Sequence, residues 1–232
     1  MEIPALLSDK QKTELLAKLQ SHLLPNRIEL INRVCSQRTD HICLVLENLY
    51  QEHNASAILR NADAFGIQNI HVIEDQNDFA ANKEVSMSAH KWLDIHSWDK
   101  SHTNNTVDCL KSLKKEGYKI CATTMREGAI TLQQLPIDAP IALCFGTELS
   151  GLSEDAHKLA DHMVYIPMHG FIKSFNVSVA SALSMSHLKE KMTLNKIPHE
   201  IDTKKALDLK LDWTLKSLGR ANTVLSRYLK EL

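Results

Sequence analysis

Short apolar runs, each only long enough for a strand, recur along this chain and alternate with stretches of helical spacing. The runs fall at 42–47, 70–74, 118–124, 140–145 and 162–166, with a shorter one near 92–96. Between them, Asn54 can cap a helix reaching Phe65 with Gly66 as its stop, and residues 106–116 read as a helix ended by Gly117. Ser153 caps a helix over 153–160, and a long helix starts near Ser174. The polar segment 75–91 fits neither pattern. Strands alternating with helices at such short spacing predict an α/β fold, with a mostly parallel sheet covered by helices on both faces.

Helical extensions flank this region. Ser8 with Gln11 forms a capping-box pattern, followed by Leu15, Leu16, Leu19 and Leu23 on one stripe. Pro25 suits the first turn of a second helix, with Ile28, Ile31, Val34 and Cys35 at helical spacing. Residues 202–232 read as one or two amphipathic helices. The expected layout is an arm over 1–38, an α/β domain over 39–190 and a tail over 191–232.

Composition narrows the function classes. The 232 residues are 44% apolar and 24% charged, enough for a full core. The longest apolar runs, at 42–46 and 141–145, are too short to span a membrane. The first ten residues carry early acids and no long apolar stretch, so a secretory signal is not expected and the cytoplasm is the expected compartment. Five scattered cysteines, at 35, 43, 109, 121 and 144, form no C-x-x-C pair and predict neither a disulfide framework nor a zinc site. His90, His96, His102 and His169 lack metal-ligand spacing, so no metal is expected. Charge divides by region: residues 1–38 carry +2, 189–232 carry +4 and the acidic middle −7. Basic flanks suit a protein whose ends meet a polyanion.

Three polar clusters stand at strand ends, where the ligand crevice of an open α/β sheet lies. The first runs from Asn54 through Arg60 and Asn61 to Gly66. The second is Gly146-Thr-Glu148-Leu-Ser-Gly151, leading into the Ser153 helix. The third runs from Ile166-Pro-Met168 to Ser174-Phe175-Asn176 and into a helix rich in Ser, Ala and Val. Gly146 and Gly151 have the outer spacing of a phosphate-binding P-loop, but Leu152-Ser153 stands where Lys-Ser/Thr is required. No G-x-G-x-x-G is present. Taken singly, Asn54 and Ser174 read equally well as caps, the glycines as turn residues and Arg60 as an ion-pair partner.

In order and separation, the three clusters resemble the three motifs of the SPOUT RNA methyltransferases, over about residues 42–185. Within that superfamily they are similar to the SpoU/TrmH branch. The arm before the first strand, Ser88-Ala-His-Lys-Trp92 and the helical tail resemble its tRNA-specific TrmH group. The resemblance implies S-adenosyl-L-methionine-dependent 2′-O-methylation of the D-loop guanosine of tRNA, a trefoil knot in the C-terminal half of the sheet, and a homodimer. It implies a bent cofactor held largely by backbone, consistent with a ligand that carries no phosphate.

Carried over position by position, the resemblance assigns Thr123, Gly146, Ile166, Met168 and Phe175 to the cofactor site. It places Arg60, Glu148, Ser174 and Asn176 where the ribose hydroxyl meets the methyl, with Asn54 bracing the first motif. Phe175 departs from the smaller leucine expected of many relatives, and the tail has only Arg220 and Arg227 among its lysines. A guanidinium stays protonated, which favours Arg60 as a cation stabilising developing alkoxide over a role as base. Arg27, Arg33 and Arg38 on the arm, with Lys204, Lys205 and Lys210 on the tail, are the candidate phosphate contacts. Two rival readings stay open: methylation of rRNA or another tRNA position, and a non-catalytic knotted RNA-binding protein.

Overall fold

The computed structural model describes residues 7–75, 89–99, 104–218 and 228. Ser88, His102, Arg220, Arg227 and most of the segment 75–91 lie outside the described residues. Seven described strands form one sheet: β1 (Ile42–Glu47), β2 (Asn69–Ile73), β3 (Asp94–Trp98), β4 (Lys119–Thr123), β5 (Ile130–Thr131), β6 (Ile141–Phe145) and β7 (His162–Tyr165). Their spatial order is β3-β2-β1-β6-β4-β7-β5, and every neighbouring pair is parallel. The helices are α1 (Asp9–Gln20), α2 (Pro25–Cys35), α3 (Glu52–Ala64), α4 (Asn105–Lys115), α5 (Glu154–Leu159), α6 (Val177–Leu194) and α7 (Thr203–Ser217).

Alternation along the central strands sorts side chains between two layers. Ile42, Leu44 and Leu46 of β1 and Ile141, Leu143 and Phe145 of β6 pack on one face with Ile58, Leu59 and Ala62 of α3 and Met185, Leu188 and Met192 of α6. Cys43, Val45, Ala142 and Cys144 face the other way, against Cys109, Leu110 and Leu113 of α4 and Ala156 of α5. The expected parallel sheet with helices on both faces is therefore present. Each fully buried Leu or Ile here stabilises by about 1.5–3 kcal/mol relative to exposure.

Several elements differ from the sequence reading, among them the strand expected near 92–96, which is observed at Asp94–Trp98. α3 starts three residues early, with Gln51 at the cap position, so Asn54 lies in its first turn and its side chain turns to tertiary partners instead of capping. Asn176, and not Ser174, caps α6: its side chain accepts from the backbone N–H of Ser178 and Val179. Asn104 caps α4. The two-residue β5 escapes detection because so short a run has no periodicity. Gly66 and Gly117 do close α3 and α4, with φ of 73° and 93° that favour glycine.

The chain divides into two compact units, residues 39–199 and residues 1–38 with 200–232. The arm and tail are thus one unit, and residues 191–199, including the end of α6, belong with the sheet. In the smaller unit Leu15 and Leu19 of α1 pack with Leu211 and Leu215 of α7. Lys12 is mostly buried there and pairs with Asp208 at 2.5 Å. No helix among the described residues is long and apolar enough to cross a membrane.

All five cysteines are free thiols and buried. Burial pushes the Cys121 thiol up to about 12 and raises Cys43, Cys109 and Cys144 as well. A thiol with a raised folded-state pKa contributes stability that is complete below its unfolded value, about 8.5, and is lost as pH rises beyond it. The native protein is therefore expected to resist thiol-reactive dye at pH 8 and to react fully on unfolding. Its unfolding free energy should decline above about pH 8.5, less steeply in Cys121→Ala, as read by urea titrations across pH.

Candidate active site

Because the strands run parallel, the carboxyl ends of β1, β4, β6 and β7 share one edge of the sheet. The segments that follow them line a cavity of about 580 Å³, a size suited to a small organic ligand. Thr123, Gly146, Ile166, Met168 and Phe175, the five residues assigned to the cofactor, all border it. So do Glu148, Ser174 and Asn176.

A chain of side-chain hydrogen bonds ties three strand-end segments together. Asn54, buried in the first turn of α3, donates from Nδ2 to Glu148 Oε1 at 2.6 Å and to Gln51 Oε1 at 3.0 Å. Its Oδ1 accepts from Asn176 Nδ2 at 3.0 Å. Asn176 Oδ1 in turn accepts from Ser178 N at 2.9 Å and Ser178 Oγ at 2.6 Å. Only one amide orientation serves, since a flipped Asn54 would point its carbonyl at a carboxylate. Asn61 Nδ2 adds a bond to Ser178 O at 3.3 Å, made possible by the small side chains at the start of α6.

The Glu148 loop is set by its glycines. Thr147 and Gly151 exchange backbone hydrogen bonds at 3.1 and 3.0 Å, which folds the loop back on itself. A Cβ on Gly146 would lie 2.2 Å from the carbonyl carbon and oxygen of Gly151, so no larger residue fits. Gly151 has φ of 73°. Gly146 thus serves close backbone approach and Gly151 the left-handed turn, in a loop without the P-loop lysine.

The arginine of the first motif is placed differently. Arg60 lies on the exposed side of α3 and is not among the cavity's lining residues within one chain. Gln51 and Arg126 do border the cavity, and the sequence reading missed both. Arg126 Nη1 donates to Glu154 Oε2 at 3.0 Å, which raises its pKa and lowers that of Glu154. Their signal was position alone: each follows the carboxyl end of a strand.

The profile of the SpoU rRNA Methylase family matches residues 41–186. The chain belongs to this family. A tRNA (guanosine(18)-2′-O)-methyltransferase of Borreliella burgdorferi is 34% identical over 183 residues, covering 79% of this chain and 82% of that one. Among solved structures, the A. aeolicus TrmH/SpoU tRNA modifying enzyme superposes with a TM-score of 0.74 at 24% identity, over 83% of this chain and 97% of that one. The SpoU methyltransferase AviRb from Streptomyces viridochromogenes, in complex with the cofactor AdoMet, gives a TM-score of 0.57 at 21% identity, over 68% and 62%. The last two likenesses speak for the fold.

The flank residues of this family member fall out unequally within the smaller unit. Arg33 and Lys204 are exposed. Arg27 is half-buried and donates to Ser217 Oγ from Nε at 3.1 Å and Nη2 at 3.0 Å. Lys205 and Lys210 are half-buried on α7. Arg38 corrects the expectation: it is 1% exposed, and its guanidinium lies 5.0 Å over the Trp213 ring, so a phosphate does not reach it. Among the described residues, no cluster of His, Cys, Asp and Glu could hold a metal ion.

Asn54→Asp tests the hydrogen-bond chain. The new carboxylate would meet the Glu148 and Gln51 oxygens with no proton to donate, and we expect a loss of about 1–3 kcal/mol in urea unfolding. Asn54→Asp should also reduce ligand affinity at the cavity more than a substitution at exposed Lys204, measured by calorimetry.

Proposed function

We propose that this protein transfers a methyl group from S-adenosyl-L-methionine to a ribose 2′-hydroxyl of tRNA, at the D-loop guanosine. The observation that carries the reading is the Asn54–Glu148–Asn176 chain at the edge of the cavity, on the positions of the family motifs. The relationship to a tRNA (guanosine(18)-2′-O)-methyltransferase, over 79% of this chain and 82% of that one, supports tRNA as the substrate. A location in the cytoplasm accords with such a substrate.

The cavity suits this cofactor on chemical grounds. It offers apolar walls at Ile166 and Phe175, backbone groups along 146–151, one carboxylate, Glu148, for a sulfonium centre, and Arg126 and Lys173 as cations. The Gly146–Gly151 loop runs into Leu152-Ser153 and so lacks the Lys-Ser/Thr pair of a phosphate-binding P-loop. When bound, the cofactor supplies an electrophilic methyl attached to sulfur. The chain's own task is to align and activate a poor nucleophile. Glu148 cannot swing freely while Asn54 holds its carboxylate, so the charge is fixed in direction. Asn176 spends its amide on Asn54 and on the α6 backbone, which makes it a pivot between motifs. Ser174, exposed at the cavity, is the hydroxyl placed to orient the incoming ribose.

Arg60 completes the site from a second copy in this reading. Its exposed place on α3, outside its own chain's cavity, supports assembly as a homodimer in which each guanidinium serves the neighbouring cavity. There it would stabilise developing alkoxide and grip the adjacent phosphate. A trefoil knot accompanies this proposal. It is supported by the sheet order, in which β6 lies between β1 and β4 and β7 between β4 and β5.

The deciding experiment is tritiated-methyl transfer to tRNA, with ribose methylation mapped by nucleotide. Transfer to the D-loop guanosine is expected; transfer to rRNA alone would refute the substrate. Arg60→Ala should lower turnover by about 10²–10³ while leaving cofactor affinity intact. Mixing Arg60→Ala with Gly146→Ala protein should restore about a quarter of wild-type activity, since half the dimers then hold one intact composite site. Affinity for tRNA should fall steeply with salt, with a slope of about −0.9 per phosphate contacted, and Arg33→Ala with Lys204→Ala should flatten it.

A further inference from the structure

β1 is apolar from Ile42 to Leu46 and ends in a carboxylate, Glu47, that is 2% exposed. Burying a charge at the centre of a sheet is unfavourable unless its oxygens are fully hydrogen-bonded. Both oxygens are. Oε2 accepts from the Ser153 N–H at 2.8 Å, and Oε1 accepts from Ser153 Oγ at 2.7 Å and Thr106 Oγ1 at 2.5 Å. These donors belong to two different places. Thr106 is in the first turn of α4, whereas Ser153 is the N-cap of α5 and the residue that ends the Gly146–Leu152 loop.

We infer that Glu47 is the positioning residue of the cofactor loop, fixing the cavity wall at 146–152 by holding Ser153 at the end of β1. The inference rests on the reading of the cavity as a cofactor site. Leu46 of β1 pairs with Phe145 of β6, so the loop leaves the sheet beside Glu47 and returns to it at Ser153. Between these two points the backbone at Gly151–Leu152 crosses Gly146 so closely that a Cβ would sit 2.2–2.4 Å from it. With that clearance, moving Ser153 displaces Leu152 and Gly151 directly. Glu148 is then held at one end by Asn54 and carried at the other by a loop whose root is Glu47. Glu47 touches no ligand in this account; it acts through Ser153.

Thr106 supplies the control, because its hydroxyl bonds the same carboxylate from α4, with Asp75 as its other acceptor at 3.4 Å. Calorimetric titration with S-adenosylmethionine, paired with thermal unfolding, should separate the two sides. Glu47→Gln and Ser153→Ala are each expected to weaken binding about tenfold, the effect of losing a hydrogen bond to a charged group, with the double variant little worse than either. Ser153→Thr, which keeps the hydroxyl, should bind within about threefold of wild type. Thr106→Val should lower the melting temperature and leave affinity unchanged. Should Glu47→Gln fail to fold, Ser153→Ala carries the test, since Ser153 is exposed. Unchanged affinity in the loop-side variants, or equal loss in Thr106→Val, overturns the inference. A wild-type chain that binds no S-adenosylmethionine overturns the cofactor reading and this inference with it.

Discussion

A single buried amide, that of Asn54, joins three parts of the chain that are far apart in sequence. It donates to a carboxylate 94 residues onward and accepts from an amide 122 residues onward. The geometry works because α3, the 146–152 loop and the N-terminus of α6 all leave the same edge of a parallel sheet. Hydrogen bonds of this kind contribute modestly when made, and cost more when one partner is left buried and unmatched. The arrangement therefore favours one mutual position of the three segments over any in which they drift apart.

That position decides which groups are available for chemistry. Glu148 is oriented, Asn176 is committed to its neighbours, and Ser174 is left facing the cavity rim. Arg60 alone stands apart, on the outer surface of its helix. The cavity brings one directed carboxylate, Glu148, together with the cations Arg126 and Lys173 and the apolar Ile166 and Phe175.

Much of this was legible in the amino-acid sequence. β1 was read at its observed limits because six consecutive residues are buried on both faces, which leaves an unbroken run. Helix ends were readable where glycine or a Ser side chain marks them, as at Ser8, Gly66 and Gly117. Asn54 was misread as a cap because asparagine before a helix has two uses, and only tertiary contacts tell them apart. The same ambiguity hid Asn176 as the true cap of α6. The pairing of Arg38 with Trp213 could not be foreseen, as it depends on arm and tail folding together across about 175 residues of sequence. Glu47 was passed over because a charge at the end of an apolar run looks like a strand entering solvent, and its burial appears only once α4 and α5 are in place.

The two faces of the sheet are packed by different helices and share few side chains. The loop that bears Glu148 bridges them: Asn54 on the α3–α6 side holds its middle, and Glu47 with α4 and α5 on the other side holds its root. It is the crosspiece of the molecule, answerable to both layers at once. Loosening either layer would therefore register as a change in the shape of the cavity wall well before the sheet itself came apart, and selection for a tight site would act on both cores through this one short turn.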